Sequence, residues 1–149
     1  MKPYQAYLSF IIAFVIGVIP SNGQSEKTYP IKVEVTDLRN NKGTVNLAVF
    51  NSKKGFPNDV ENAVRKAQSA IKEGKATFTL ELPSGNYAIS LFHDENGNDE
   101  FDTNWIGLPK EGAAASNNAK AFMGPPKFED AEFELKQQTV WQSIRMIYF

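Results

Sequence analysis

Apolar residues fall at every second position in several stretches of this chain, and no other feature constrains its fold as strongly. Ile31, Val33 and Val35 alternate with Lys32, Glu34 and Thr36. Val45, Leu47 and Val49 alternate with Thr44, Asn46 and Ala48. Phe78, Leu80 and Leu82 alternate with Thr77, Thr79 and Glu81, and Tyr87, Ile89 and Leu91 with Ala88, Ser90 and Phe92. Successive side chains of a strand point to opposite faces, so each stretch reads as a strand with one face for a core and one for water. Near the C-terminus Phe133 and Leu135 alternate with Glu132, Glu134 and Lys136, and Val140, Ile144, Met146 and Tyr148 run to the end.

The punctuation between these stretches predicts three hairpins. Arg39-Asn40-Asn41-Lys42-Gly43 is rich in turn formers and joins the first two strands. Pro83-Ser84-Gly85-Asn86 joins the next two: proline presets its own φ and glycine permits a positive one. Gln137-Gln138 is a weaker turn before the last. Residues 56–72 carry two periods. Val60, Val64, Ala67 and Ile71 recur at helical spacing behind Pro57-Asn58-Asp59, whereas Ala67, Ser69 and Ile71 alternate. The expectation is a short helix near residues 59–64, then an edge strand to Lys72. Strands that alternate cleanly and follow one another with turns between them argue an all-β antiparallel sandwich of about seven strands.

Composition narrows the functional classes. At 149 residues, 42% hydrophobic and 22% charged, the chain reads as one globular domain. It has no cysteine, which excludes a disulfide framework, a cysteine nucleophile and a thiolate metal site. It has one histidine, which excludes a multi-histidine metal centre. A formal net charge of −1 gives no support for nucleic-acid binding. The N-terminus has Lys2, an apolar run over residues 8–19, then Ser21 and Gly23. This is the pattern of a signal peptide over residues 1–23, cleaved after Gly23. The run falls short of the roughly 20 residues of a membrane span; an uncleaved anchor is the alternative. The expectation is an exported protein, periplasmic or extracellular, with a flexible lead at 24–30 and a single domain at 31–149. No second apolar stretch could span a membrane after cleavage.

The connection from His93 to Asp130 exceeds the roughly 12–15 residues that structureless loops rarely surpass. Its first part reads Asp94-Glu95-Asn96-Gly97-Asn98-Asp99-Glu100-Phe101-Asp102. Oxygen-bearing side chains stand at Asp94, Asn96, Asn98, Glu100 and Asp102, every second residue. Calcium takes six to eight oxygen ligands, and a tight loop with this spacing can wrap one ion. Asp99 stands where an EF-hand loop has glycine, and Trp105 where it has its bidentate Glu. Glu129 or Asp130 could complete the shell, at an affinity of about 10⁻⁴–10⁻³ M. The other reading is that these Asp and Asn residues only form turns.

His93, beside Asp94, is the candidate base of a hydrolase, supported by Asp94, Glu111 or Asp130. No Gly-x-Ser-x-Gly elbow accompanies it, and a packed structural histidine is the simpler reading. One His and no Cys make zinc improbable. The aromatic residues Phe101, Trp105, Phe122 and Phe128 could stack on a sugar or peptide, or anchor the connection onto the sandwich. Candidates for a binding surface are His93, Asn104, Trp105, Lys110, Glu111, Ser116, Asn117, Asn118, Phe128, Glu129 and Asp130.

These same residues carry a resemblance. Phe92-His93-Asp94-Glu95-Asn96-Gly97-Asn98, Asp102-Thr103-Asn104, Gly107-Leu108-Pro109-Lys110-Glu111-Gly112, Ser116-Asn117-Asn118-Ala119 and Gly124-Pro125-Pro126-Lys127-Phe128-Glu129-Asp130-Ala131 form an ordered series. Leu82-Pro83-Ser84-Gly85-Asn86-Tyr87-Ala88 precedes it. The series resembles the domain-of-unknown-function 2141 family of exported bacterial proteins, over about residues 31–149, nearly the whole mature chain. Asp99 departs from the family pattern, which usually has glycine there. The resemblance implies an immunoglobulin-like or prealbumin-like β-sandwich, to which the reading of the residues adds one long ordered connection and one short helix. It implies no activity. The leading expectation is a non-enzymatic binding module, its calcium loop organising a surface for an envelope protein or glycan. A hydrolase using His93 and a purely structural envelope protein are the alternatives.

Overall fold

Eight strands form two sheets: β1 (Thr28–Thr36), β2 (Thr44–Phe50), β3 (Arg65–Ala70), β4 (Ala76–Pro83), β5 (Gly85–Asp94), β6 (Gly112–Ala115), β7 (Phe133–Leu135) and β8 (Val140–Arg145). The structure is a computed structural model that describes residues 26–121 and 123–149. The expected leader and Phe122 lie outside the described residues. Strand β1 begins inside the stretch expected to be a flexible lead, and Tyr29 is already in the core.

One sheet has the order β4-β1-β8, the other β3-β2-β5-β6, with β7 beside β5. The alternating residues meet between them. Ile31, Val33 and Val35 from β1, Phe78 and Leu80 from β4, and Ile144 from β8 face Val45, Leu47 and Val49 from β2 and Ile89 and Leu91 from β5. Fully burying one such side chain is worth about 1.5–3 kcal/mol, and this layer is the main source of stability.

None of the three expected hairpins forms. Strands β1 and β2, β4 and β5, and β7 and β8 are neighbours in sequence, but each pair is divided between the two sheets. Alternation specifies which face of a strand is buried, not which strand lies beside it. Two amphipathic neighbours bury their apolar faces equally well across the sandwich, and the turn between them becomes a corner. The Pro83 corner is tied by Tyr87, whose hydroxyl donates to the Pro83 carbonyl at 3.0 Å. The arrangement is also not wholly antiparallel. Strands β1 and β8 pair in parallel, from Ile31 opposite Val140 to Thr36 opposite Arg145. Parallel neighbours need a long connection, which strands from the two ends of the domain have.

Residues 59–72 take both of their expected forms. Val60–Asn62 is a single 3₁₀ turn whose start is capped by Asp59, which accepts from the Glu61 amide at 3.2 Å. Strand β3 is then a polar edge strand against β2. The short helix α1 (Phe128–Ala131) belongs to a second apolar layer on the outer face of β2 and β5. There Phe56 packs edge-on between Phe50 and Phe128, with ring centroids 5.4 and 5.8 Å apart. No described helix is long and apolar enough to cross a membrane.

Candidate functional site

Strand β5 ends by placing His93 on its inner face and Asp94 on its outer one, and both side chains are fully buried. His93 Nε2 lies 2.8 Å from the Lys42 carbonyl and Nδ1 lies 2.7 Å from the Tyr148 hydroxyl. A carbonyl only accepts, so Nε2 carries the hydrogen. In the neutral ring Nδ1 then accepts from Tyr148, whose oxygen accepts in turn from the Arg39 amide at 3.1 Å. The imidazole is sealed and both nitrogens are occupied. Burial pushes the Tyr148 hydroxyl up in pKa, the opposite of an activated nucleophile. The open hollows beside Gly85 and Leu135, and beside Arg145 and Met146, are not lined by His93.

Asp94 turns its carboxylate back on the loop that follows. Oδ1 accepts from the amides of Gly97 at 2.7 Å and Asn98 at 3.3 Å, and Oδ2 from that of Asp99 at 2.8 Å. Asp99 adopts the left-handed conformation, with φ 60°, that closes the turn. Asn96 Oδ1 then caps the Asn98 amide and Asn98 Oδ1 caps that of Glu100. The side-chain amides of the two Asn converge on Asp102 Oδ2, at 2.6 and 3.3 Å. Thus Asp94, Asn96, Asn98 and Asp102 enclose one turn, while Glu100 faces solvent. Thr44, opposite Asp94 across the sheet, has a buried hydroxyl with no partner among the described residues. Among the described residues no three Asp, Glu or His stand together as a metal-ligating group.

The loop is fastened on three sides. Gln68 of β3 donates to Asp99 Oδ1 at 2.8 Å, and Phe101 lies on Phe92, centroids 5.7 Å apart. Glu111, nearly buried, accepts from the Glu95 amide through Oε1 and from the Asp102 amide through Oε2, each at 3.1 Å. Arg39 grips Glu95 with both Nε and an Nη, and the same Nη donates to the Lys110 carbonyl at 3.2 Å. Its guanidinium stacks on the Tyr148 ring, 4.5 Å from the centroid. The hydrogen bond from Arg39 holds the Glu95 carboxyl far below its ordinary range, at about 2, with Asn40 adding a second donor. Arg39, Glu95 and Tyr148 are the residues that sequence reasoning missed. A lone arginine among turn formers, in a chain with an acidic run elsewhere, is the signal that could have raised the pairing.

Beyond Asp102 the chain makes a narrow prong. Thr103 bridges to Pro109, and the Asn104 amide donates to the Leu108 carbonyl at 2.8 Å. Asn104 Oδ1 accepts from the amides of Ile106 and Leu108, at 3.0 and 2.9 Å. The prong presents Trp105, 94% exposed, together with Ile106 and Leu108.

The remaining candidates serve another part of the fold. Ser116 is buried, its hydroxyl accepting from the Ile89 amide and donating to the Ala131 carbonyl. Asn118 donates to the Ser143 carbonyl and accepts from the Arg145 amide, so its side chain acts as one more rung along β8. Asn117 donates to the Glu132 carbonyl at 2.8 Å. Phe128, Glu129 and Asp130 belong to α1, which packs by Ala88 near the start of β5. At about 3.3 Å per residue, Ala88 lies about 17 Å along the strand from His93. Neither Glu129 nor Asp130 therefore joins the oxygens of the 94–102 loop or the histidine.

Residues 33–142 match the family described as "Uncharacterized protein conserved in bacteria (DUF2141)". No curated protein and no solved structure matches the chain. The family match runs from the middle of β1 into β8 and takes in the acidic loop, the prong and the Ser116-Asn117-Asn118 stitch. The chain belongs to the DUF2141 family of bacterial proteins.

Proposed function

We propose that this is an exported, non-enzymatic binding module, with residues 1–23 as its leader. In this reading the 94–111 connection is a preorganised surface that calcium, bound weakly in the 94–102 loop, tightens further. One observation carries it: the buried carboxylates of Asp94 and Glu111, together with Arg39 of the 37–43 turn, hold a connection whose tip leaves a tryptophan in solvent. A fold has no need to fasten an idle loop with Asp94, Glu111 and Arg39 together.

Asp94, Asn96, Asn98 and Asp102 would supply side-chain oxygens to the ion, and Glu100 a main-chain or side-chain oxygen. Asparagine offers oxygen or nitrogen by a half-turn of its amide, so the two groups now donating to Asp102 can present acceptors instead. The unpartnered Thr44 hydroxyl beside Asp94 is a further oxygen. Two carboxylates place the affinity near 10⁻³ M, in the range of about 10⁻⁴–10⁻³ M known for extracellular modules. A second reading is favoured by the main-chain donors that already satisfy Asp94 and Glu111: the acidic loop as turn chemistry alone, in a purely structural envelope protein.

Thermal unfolding of metal-stripped protein separates the two. About 10 mM calcium should raise the midpoint by roughly 3–6 °C, with magnesium ineffective. The Asp102→Asn variant should unfold at the parent midpoint without calcium and lose the rise. Asp94 is the wrong residue to change, because its loss strands three amides whatever the metal does. No calcium-specific rise would leave the structural reading.

A further inference from the structure

The prong at 103–109 has a property that exposure alone does not require. Four of its main-chain amides are paired within the prong: those of Ile106 and Leu108 with Asn104 Oδ1, that of Gly107 with the Asn104 carbonyl, and that of Asn104 with the Leu108 carbonyl, which leaves the Trp105 amide open at the tip. Each peptide group paired internally lowers the cost of leaving bulk water, and the hydrated headgroup region can still serve the open Trp105 amide. From Trp105 to Leu108 the side chains offer no polar group except the indole N–H. The tip is also convex and free, since a side chain built at Gly107 would meet nothing within 4 Å.

We propose that this prong inserts into the lipid–water interface of a membrane, with Trp105, Ile106 and Leu108 entering the boundary between headgroups and acyl chains. This rests on the binding-module reading and names its partner. Tryptophan favours that boundary, and a small apolar protrusion suits a fluid surface that closes around it. A glycan would need polar groups beside the indole, and the tip has none. Lys110, exposed at the base of the prong, is a cation at the level of headgroup phosphates. Asp99, Glu100 and Asp102 lie in the loop leading into it. Their charge favours zwitterionic over anionic bilayers when calcium is absent.

The chain has two tryptophans, so Trp141→Phe leaves Trp105 as the only reporter. The full chain carrying this change is mixed, in chelator, with phosphatidylethanolamine/phosphatidylcholine vesicles containing brominated acyl chains. The expected result is a blue shift of Trp105 emission with quenching by bromine, weaker on vesicles rich in phosphatidylglycerol. A Trp105→Ser/Ile106→Ser/Leu108→Ser variant should keep its unfolding midpoint. Its separate test is cosedimentation of a chain starting at Gln24 with the same vesicles, where the loss should be at least about tenfold. Vesicle binding with unshifted Trp105 would assign attachment to the apolar leader and overturn the inference. A shift that follows protein concentration without vesicles would assign the prong to a second copy and overturn it equally. Because calcium is absent, a failure here is separate from a failure of the calcium titration.

Discussion

Asp94 and Glu95 are adjacent acids with opposite duties. Asp94 gathers the loop beneath it, while Glu95 reaches sideways to Arg39 and joins the connection to the 37–43 turn. The second duty has a pH signature. Folding lowers the Glu95 pKa from an ordinary 4.5 to about 2. Above 4.5 the carboxylate is ionised in both states and its contribution to stability is complete. Between 4.5 and about 2 the unfolded chain takes up a proton that the folded chain refuses, so stability falls with pH; below about 2 the contribution is gone. Arg39 is half exposed, so solvent screening limits the effect to about 1 kcal/mol. In urea denaturation across this window, Glu95→Gln should flatten the decline relative to the parent. Parallel profiles would show that the pair does not couple the turn to the connection.

Among the elements, β6 shows most clearly where sequence reading stops. Gly112-Ala113-Ala114-Ala115 has neither alternation nor branched side chains, yet it pairs with β5 from Ser90 to His93. What selects it is the space it leaves. A Cβ at Gly112 would stand 2.5 Å from the Tyr148 ring and 2.7 Å from the Met146 side chain. Gly112→Ala should therefore destabilise the domain by about 1–3 kcal/mol in chemical denaturation, through overpacking against the ring that bonds His93. A neutral result would mean that the C-terminal segment moves aside freely. The faces of the other strands were legible because burial is written in each strand by itself. Strand partners were not, because they depend on which corners the turns make. The candidate site was half legible for the same reason. The oxygen spacing over residues 94–102 identified a turn dense in polar side chains, but nothing local tells an oxygen that meets a cation from one that meets an amide. Glu111 was picked out as an acid and acts as an acceptor for two amides, a role set by Glu95 and Asp102. Ser116, Asn117 and Asn118 are surface candidates in the sequence; instead Ser116 ties β5 to α1, while Asn117 and Asn118 bond to β8, whose position the sequence leaves open.

At the scale of the molecule, the sandwich supplies a rigid base and one of its ends is elaborated. The C-terminus, the 37–43 turn, the end of β5 and the 94–111 connection are joined there through His93, Tyr148, Arg39 and Glu95. Long loops ordinarily open easily because few buried contacts hold them. This one is held by carboxylates at its root and by Asn104 at its tip, and the account stands on that rigidity. Amide hydrogen exchange measures it residue by residue. The amides of Gly97, Asp99, Asp102, Ile106 and Leu108 should exchange at least roughly a hundredfold more slowly than those of an open loop, with unbonded Trp105 fast among them. Uniformly fast exchange from Asn96 to Leu108 would contradict the account, because a connection that opens freely presents no fixed surface.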